Sequence, residues 1–475
     1  MTALVTRSRA SARSDAMVFD AVLQRFVEQC PAAVLARLTI QQALSAEWVD
    51  EVFSKNSRRQ YMHELLFSTV VELMGLVAVG LRPSLHAAAK TSSTLNVSIT
   101  ALYDKVNHVE PAVLRALVQG SAERLSPIVG PLRKEATPWA PGYRVRIIDG
   151  NHLPASEKRL ASLRGFRGAA LPGQALVVFD PDLGLVVDLE PHEDGHAQER
   201  VMLPAVLGRV RAGELWIGDR NFSTTAVILA IVLRGAHFLF REHGASPNPR
   251  PTGQRRKIGR IETGIVYEQR VTIKAEGDKA LTLRRIELEL DHPTEDGDTL
   301  IRMLTDLPAA EFDACAIARL YRRRWSIENL FQRLESALKS EVRSLGYPAA
   351  ALLAFTTAVL AYNVLAVIQA AVEATHDLSA AGIELSSYFV AGDVKTYYGG
   401  MMVAVPPATW QVFVAMPPDE LGRELRAIAA HVDAKAMRKH PRKPKPKAPK
   451  GYAPRAAVER HVATARVLAN GGVEE

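Results

Sequence analysis

Three carboxylates lie where α/β proteins usually place catalytic groups. Asp149 ends an apolar strand in RVRIIDG, Asp219 ends another in ELWIGD, and Glu328 lies in the helical stretch YRRRWSIENLF. A side chain at the carboxyl end of a strand projects above the sheet edge, where ligands bind in such folds. Taken singly, each acid is better explained as a helix cap or as a partner of Arg220 or Arg324. Three acids at successive topological positions instead favour a metal site.

The chemistry of such a site follows from its ligands. With no Cys or His pair beside them, three carboxylates suit Mg²⁺ or Mn²⁺, hard ions that prefer oxygen. Two such ions can activate a water or a 3′-hydroxyl and stabilise the leaving oxygen in phosphodiester chemistry. Asp149, Asp219 and Glu328 are therefore predicted to be catalytic residues and metal ligands.

The third acid lies in a long helix predicted over Glu311–Arg343. At 100° per residue, one narrow stripe of this helix contains Tyr321, Arg324, Glu328 and Glu335. The apolar residues form a neighbouring stripe. The helix can thus pack on a sheet while aiming Glu328 over the sheet edge.

The elements that must position these side chains alternate between strand and helix. Strands are predicted at Tyr143–Gly150, twice within Ala175–His192, at Glu214–Asp219 and at His237–Glu242, with helices at Ala197–Ala212 and Ser223–Arg234. Three consecutive strands followed by alternation indicate a mixed sheet flanked by helices, so the fold class is α/β. The following segment, Gly244–Leu307, is rich in β-branched residues and predicts an antiparallel strand insertion.

The chain before this region has helical periodicity from Met17 to about Leu132. Within it, Ser84–Asn107 resembles a helix-turn-helix whose second helix is capped by Ser98. The side chains that this helix would turn outward are Thr100, Tyr103, Asp104, Lys105 and Asn107. Such a helix can read a major groove, but small helical hairpins often only pack, so both interpretations stand.

Two apolar segments are long enough to raise the question of a membrane. Leu65–Leu81 is shorter than the ~20 residues of a spanning helix and contains Glu72. Ala349–Glu373 contains Asn363 and follows the predicted core. Both are predicted as buried helices. The N-terminus shows no apolar secretory segment and the two cysteines are far apart, so we expect a cytoplasmic protein.

Charge is concentrated near the C-terminus. Between Lys435 and Lys450 the chain has eight basic residues and no acidic ones, so the net charge of +8 comes from this Pro-rich segment alone (8 − 8 = 0). A tract of this composition cannot fold by itself and suits a polyanion. Nucleic acid is favoured as its partner over a purely solubilising role.

Two further clusters are less specific. The spacing of His192, Glu193, Asp194 and His196 matches no common zinc motif, and a solvated loop before a helix is the preferred interpretation. The basic arm Gly253–Arg260 (GQRRKIGR) is explained equally well by a solvated surface and by phosphate contacts.

The order of the three acids resembles that of the cut-and-paste DDE transposases. Asp-Gly ends the first strand, Asp-Arg-Asn-Phe follows a later one, and Tyr-x-x-Arg-x-x-x-Glu lies in a helix after a β-insertion. More narrowly, Tyr143–Gln369 looks like the insertion-sequence-four group with its Tyr-Arg-Glu-Lys signature. The resemblance implies a ribonuclease-H-like catalytic core whose metal ligands are Asp149, Asp219 and Glu328.

The resemblance also implies residues that handle DNA. It carries a phosphate-binding role onto Tyr321 and Arg324, whose phenol and guanidinium are standard phosphate donors. We also expect Arg220 to contact DNA. The signature's Lys is replaced by Glu335, and Lys339 is the expected substitute. Relatives capture a flipped base with a Trp in the insertion, which this chain lacks; the candidates to replace it are Met303, Phe312 and Tyr267.

On this interpretation the chain has six parts. They are a helical DNA-end-binding domain (1–132), the first part of the catalytic core (143–243), the β-insertion (244–307), the second part of the core (308–375), a C-terminal helical region (376–434) and the basic Pro-rich tail (435–475). The expected function is a Mg²⁺- or Mn²⁺-dependent transposase of an insertion sequence, associated with the bacterial nucleoid. Its expected partners are transposon ends and target DNA, bound as a homodimer, with no membrane. The alternatives are a catalytically inactive DNA-binding regulator and a ribonuclease-H-like nuclease.

Overall fold

The described residues of the N-terminal part form helices joined by loops. The computed structural model describes residues 20–92, 95–244, 246–274, 280–294, 297–340, 342–378, 381–440 and 461–470. Its first helices are α1 (Ala21–Gln29), α2 (Pro31–Ala43), α3 (Ala46–Asn56), α4 (Phe67–Ala78), α5 (Leu85–Thr91), α6 (Ile99–Asn107) and α7 (Pro111–Leu132). They share one hydrophobic core with the helices that follow the sheet. The predicted helical region is present throughout the residues described.

The centre of the molecule is a ten-stranded mixed sheet. Its first five strands in the chain are β1 (Arg144–His152), β3 (Gln174–Asp180), β4 (Leu185–His192), β5 (Glu214–Gly218) and β6 (His237–Arg241), which lie in the order β4-β3-β1-β5-β6. The strands β4, β3 and β1 are antiparallel neighbours, whereas β1, β5 and β6 are parallel. Parallel neighbours need crossover helices, here α8 (Glu199–Leu207) and α9 (Thr225–Val232). The predicted mixed α/β fold is confirmed, and it is consistent with a ribonuclease-H-like core.

The inserted strands extend this sheet directly. They are β7 (Arg250–Pro251), β8 (Arg256–Ile261), β9 (Gly264–Lys274), β10 (Ala280–Leu290) and β11 (Leu300–Thr305). The join is an antiparallel pairing of β11 with β6, beyond which β10, β9 and β7 follow, while β8 also pairs with β9. The insertion thus belongs to the same sheet as β1, which contains Asp149, and β5, which Asp219 follows.

The helix predicted over Glu311–Arg343 is wrong as a single element. The structure has α10 (Ala314–Arg322), a 3₁₀ turn at Arg323–Trp325 and α11 (Ser326–Ser336). The first helix starts where the Asp313 carboxylate accepts a hydrogen bond from Ala316 N at 2.6 Å, a normal N-cap. The 3₁₀ turn changes the angle between successive residues, so a helical wheel drawn at 100° per residue no longer gives the positions of the side chains on either side of the turn.

The longest helix is α12 (Pro348–His376). It is long and apolar enough to cross a membrane, but 94% of its most apolar window is buried inside the protein. The side chain of Asn363 binds the backbone of Val186 in β4, with Val186 N donating to Oδ1 at 2.8 Å and Nδ2 donating to the carbonyl at 2.9 Å. The prediction of a core helix is therefore confirmed, and the amide of Asn363 is satisfied by the edge strand β4.

The C-terminal region adds α13 (Ser387–Ala404), a 3₁₀ helix (Pro407–Phe413) and α14 (Pro418–Ala429). Residues 441–460, which hold most of the predicted basic tract, lie outside the described residues. Beyond them, β12 (Val462–Ala463) pairs with β2 (Ala170–Leu171), and α15 (Thr464–Ala469) follows it. Residues 461–470 therefore return to pair with β2, which lies between β1 and β3 in the chain, and the sequence did not predict this contact.

Lys105, in the second helix of the predicted helix-turn-helix, points into the protein and not outward. Ser98 caps α6 as expected, accepting from Ala101 N at 3.2 Å. Lys105, however, is only 8% exposed, and its Nζ donates to the carbonyls of Tyr61 and Leu65 at 3.1 Å each. The prediction that Lys105 faces outward is wrong, because these two carbonyls and a cation–π contact with Phe53 compensate its buried charge.

Candidate active site

The two aspartates lie side by side at the sheet edge. The parallel pairing of β1 with β5 ends at Ile147 opposite Ile217, and two residues later each strand carries its acid. Asp149 Oδ1 accepts from Gly150 N at 3.0 Å, and Asp219 Oδ1 accepts from Asn221 N at 2.8 Å. Because β1 continues to His152 through its pairing with β3, Asp149 lies inside that strand and not at its end.

The arginine of the 3₁₀ turn links the third acid to the first. Arg324 Nη1 donates to Asp149 Oδ2 at 3.1 Å, and Nη2 donates to Glu328 Oε1 at 3.1 Å. The arginine side chain is 10% exposed, compared with 18% for Asp149 and 36% for Glu328. The helix break at Arg323–Trp325 thus places one guanidinium between two of the predicted catalytic carboxylates.

The charge of this cluster changes the acidity of Asp149. Burial raises the pKa of Asp149 to about 6, and the charges of Asp219 and Glu328 add to the rise, while Arg324 and the Gly150 amide work against it. A raised carboxylate pKa beside other acids is typical of active sites. Burial is thus the main reason for the raised pKa, and Arg324 offsets it only in part.

The fit of these residues to a divalent cation rests on their donor chemistry. Carboxylate oxygens are the ligands that Mg²⁺ and Mn²⁺ prefer, and the surplus of negative charge calls for a cation. Across the described part of the chain, no group of three or more His, Cys, Asp or Glu side chains is placed so that it could hold a metal ion. In this cluster Arg324 lies between Asp149 and Glu328, so cation binding requires the guanidinium to give way.

The other predicted DNA-contacting residues differ in exposure. Tyr321 is 6% exposed, and burial raises its pKa to about 12. Arg220 is exposed on the turn that follows Asp219. Lys339 is exposed but lies beyond the end of α11, and its backbone N donates to the Ala78 carbonyl at 2.6 Å. Lys339 is therefore not one helical turn beyond Glu335, as a continuous helix would have placed it.

None of the three candidates for capturing a flipped base offers a free aromatic or thioether surface. Met303 is 0% exposed and Phe312 is 8% exposed, so both belong to the core. Tyr267 is partly exposed, but the guanidinium of Arg255 lies 3.4 Å from its ring centre. Trp325, next to Arg324 in the sequence, is 62% exposed and was not among the candidates.

Sequence reasoning also missed a fourth acid near the aspartates. Glu199 begins α8, and Asn221 Nδ2 donates to its Oε2 at 3.3 Å. Burial raises the pKa of Glu199, with contributions from Asp219 and Asp149. An acid in the first turn of the helix after a β-hairpin was the available signal, but helix dipoles alone favour acids there.

The histidine-containing loop before α8 has a structural partner. Asp194 Oδ2 accepts from Arg466 Nε of α15 at 2.8 Å, and Asp194 Oδ1 accepts from His196 N at 2.9 Å. The loop thus holds the returning C-terminal segment against the core.

The comparison with protein families agrees with this geometry. Residues 140–364 match the family model of the transposase DDE domain. The match supports a DDE transposase. The matched residues contain β1 to β11, both aspartates, Arg324 and Glu328. No curated protein matches the chain.

The raised pKa of Asp149 leads to a prediction about the stability of the protein. A carboxyl whose folded pKa is raised stabilises the protein below its unfolded pKa of 3.8, and this contribution is lost as pH rises through about 6. Asp149→Asn mimics the protonated form. In EDTA near pH 7.5 the variant should be more stable than wild type by about 2–3 kcal/mol, with no difference below about pH 4.

Urea unfolding at both pH values measures this difference. Asp104→Asn is the control, since the Asp104 side chain is 78% exposed on α6. Equal stability of the wild type and Asp149→Asn near pH 7.5 would mean that Asp149 is not held in an unfavourable charged state.

Proposed function

We propose that the protein is a transposase that binds the inverted-repeat ends of an insertion sequence, cleaves them and joins them to target DNA. The observation that carries the proposal is that Arg324 bonds both Asp149 and Glu328, with the charge of Asp219 acting on Asp149, within the region that matches the transposase DDE domain. Membership of the insertion-sequence-four group is part of the proposal, on the spacing of Tyr321, Arg324 and Glu328.

Asp149, Asp219 and Glu328 would hold Mg²⁺ or Mn²⁺. When bound, such ions supply Lewis-acid activation of the attacking oxygen and stabilise the leaving oxygen of the phosphodiester. The carboxylates must be ionised for this role, and the pKa of Asp149 near 6 leaves it largely ionised at neutral pH. Once Arg324 gives up its carboxylates, its guanidinium is free to bind a DNA phosphate in a bidentate manner.

The DNA partner would be held by exposed cations beside the site and on the inserted strands. Arg220 follows Asp219, and the edge strand β8 presents exposed Arg256 and Lys257. Inverted-repeat ends are related by two-fold symmetry, and a homodimer matches that symmetry with one copy at each end. We therefore propose that the complex with two ends contains two copies of the chain.

The test is an excision and joining assay. A plasmid carries a marker between the two DNA segments that flank the coding sequence, and purified protein is added with Mg²⁺ and a target plasmid. Excised marker and joined product support a transposase. Cleavage without joining would indicate a nuclease, and end binding without cleavage would indicate a regulator; either result would overturn the proposal.

The basic tract gives a second prediction. Replacing its eight Lys and Arg residues between Lys435 and Lys450 by Gln should weaken DNA binding and flatten its salt dependence. If at least four of them contact phosphates, the slope of log K against log salt changes by about 3–4 units, at about 0.9 per contact. Substitution is preferable to truncation, because residues 461–470 pack on the catalytic region.

The matched control keeps the charges and replaces Pro441, Pro444, Pro446 and Pro449 by Ser. Its slope should equal that of the wild type, since phosphate contacts depend on charge. An unchanged slope in the Gln variant would assign the tract a role other than DNA binding.

A further inference from the structure

Two exposed lysines from different parts of the chain meet beside Gly80, in the turn after α4. A Cβ added at Gly80 would lie 3.1 Å from Lys395 Nζ and 3.5 Å from Lys339 Cε. Lys395 belongs to α13, whereas Lys339 lies in the segment between α11 and α12. Arg82, two residues beyond Gly80, is also exposed. Arg82, Lys339 and Lys395 together form a basic corner on the surface.

The backbone around Gly80 holds two of these residues in place. Gly80 has a φ of 76°, a left-handed conformation that glycine adopts without steric cost. Arg82 N donates to the Leu76 carbonyl at 2.9 Å, and Lys339 N donates to the Ala78 carbonyl at 2.6 Å. Both segments are therefore bound to the last turn of α4. The basic corner is thus built on hydrogen-bonded backbone.

The charges of the basic corner are not neutralised by acids. Among the described residues, no salt bridge and no side-chain hydrogen bond involves the charged group of Arg82, Lys339 or Lys395. By contrast, the exposed ammonium of Lys55 pairs with Glu51 at 2.6 Å. Like charges repel each other, and the C-terminus of α4 offers them only about half an elementary negative charge. The corner therefore attracts anions.

The position of the corner suggests which anion binds there. It lies beyond the end of α11, the helix whose first turn contains Glu328. This helix has 11 residues and, at 1.5 Å per residue, spans about 16 Å. Phosphates of one DNA strand are spaced by about 3.4 Å along the duplex axis, so a strand with one phosphate beside Glu328 can place another at the corner about five nucleotides away.

We propose that Arg82, Lys339 and Lys395 bind the phosphate backbone of the DNA that occupies the candidate active site. The three cations are exposed and come from three segments, an arrangement that fits an extended row of phosphates better than a small anion in a pocket. The proposal rests on the proposed function, because it takes DNA as the partner. It adds Arg82 and Lys395, which both lie outside the matched residues 140–364. The competing explanation is that the lysines only stabilise the C-terminal end of α4.

The experiment measures binding of the full chain to the DNA segments that flank its coding sequence, at several salt concentrations and in EDTA, which prevents cleavage. The test variant replaces Arg82, Lys339 and Lys395 by Gln. Its slope of log K against log salt should be shallower than that of the wild type by about 2–3 units, at about 0.9 per lost phosphate contact. Thermal unfolding of the same variant measures any structural role.

Two further variants serve as controls. The first replaces Arg144, Arg211 and Arg234 by Gln; these exposed arginines lie at or just before the first residues of β1, β5 and β6, at the opposite end of the strands from the aspartates. It removes the same number of charges, and its slope should equal that of the wild type. The second exchanges Lys and Arg at the three positions of the basic corner, keeps the charges and should also keep the wild-type slope.

The inference is overturned if the Gln variant keeps the wild-type slope, with or without a loss of thermal stability. It is also overturned if either control variant changes the slope as much as the Gln variant does. Should the triple Gln variant not fold, the three single Gln variants are measured; each should reduce the slope by about 0.9, and unchanged slopes overturn the inference.

The excision and joining assay tests the proposed function separately. If the wild type excises and joins the marker while the Gln variant keeps the wild-type slope, the inference fails and the function stands. If the wild type does not bind the flanking segments, both fail.

Discussion

Replacing Asp149, Asp219 or Glu328 by its carboxamide is expected to abolish DNA cleavage while leaving DNA binding intact. Each substitution removes a charged oxygen ligand but preserves side-chain shape. Since metal activation would supply most of the catalysis, each loss should reach about 10³-fold or more. Binding should persist because carboxylates repel phosphate and contribute nothing favourable to end recognition.

The measurement is single-turnover cleavage of the flanking-segment substrate in Mg²⁺, with binding followed by gel shift. Asp182→Asn is a matched control, because Asp182 is a half-buried aspartate in the turn between β3 and β4 whose carboxylate accepts from Trp139 N at 2.9 Å. An asparagine can keep that hydrogen bond, so its cleavage rate should match wild type. A carboxamide variant that cleaves near the wild-type rate would remove that residue from the catalytic set.

Much of the fold could be predicted because its signals are local. The apolar runs of β1 and β5 are short and lead into Asp149 and Asp219, so the sequence indicated where both acids lie along the chain, although β1 continues past Asp149 to His152. Their proximity then required only that β1 and β5 be parallel neighbours, which the structure confirms through the pairing of Ile147 with Ile217. The Ser98 cap of α6 and the burial of α12 are further examples of local pattern deciding structure.

The sequence was less informative where distant residues decide the outcome. The break between α10 and α11 has no Gly or Pro to mark it; at that point Arg324 turns to Asp149, 175 residues away in the chain. Lys105 is buried because carbonyls of Tyr61 and Leu65, in the loop between α3 and α4, accept hydrogen bonds from its ammonium group. Glu199 approaches the site only because Gly150 leaves room on β1. The periodicity of apolar residues reflects local structure along the chain. Each of these three contacts instead joins residues that are far apart in the sequence.

Without bound metal, Arg324 should contribute more to the stability of the site than any other residue in it. Arg324→Met keeps much of the side-chain volume but leaves Asp149 and Glu328 without their common cation. Breaking a buried ion pair from one side costs about 3–5 kcal/mol. The lower end is expected here, roughly 3 kcal/mol near pH 7.5 in EDTA, because Glu328 is 36% exposed.

The stability difference between wild type and Arg324→Met should depend on pH, and the pKa of Asp149 determines in which direction. Arg324 lowers the pKa of Asp149, which burial holds near 6, so removing the guanidinium raises that pKa further. A raised folded pKa means that stability is lost as pH increases through it. The difference between wild type and Arg324→Met should therefore be largest above pH 7 and shrink below about pH 5, where Asp149 is neutral in both proteins.

In Arg324→Met, a divalent cation should replace the positive charge that the guanidinium supplied to Asp149 and Glu328. Mn²⁺ binds the folded state and stabilises it by mass action, and without Arg324 in competition the variant should gain more stability from saturating Mn²⁺ than the wild type. Thermal unfolding of both proteins with EDTA and with Mn²⁺ measures this gain. Arg322→Met is the control, since Arg322 forms an exposed pair with Glu262 at 2.8 Å, and exposed pairs contribute about 0–1 kcal/mol. If Mn²⁺ stabilises Arg324→Met no more than it stabilises Arg322→Met, the guanidinium and the cation do not share a site, and Arg324 acts on the carboxylates only as a structural ion pair.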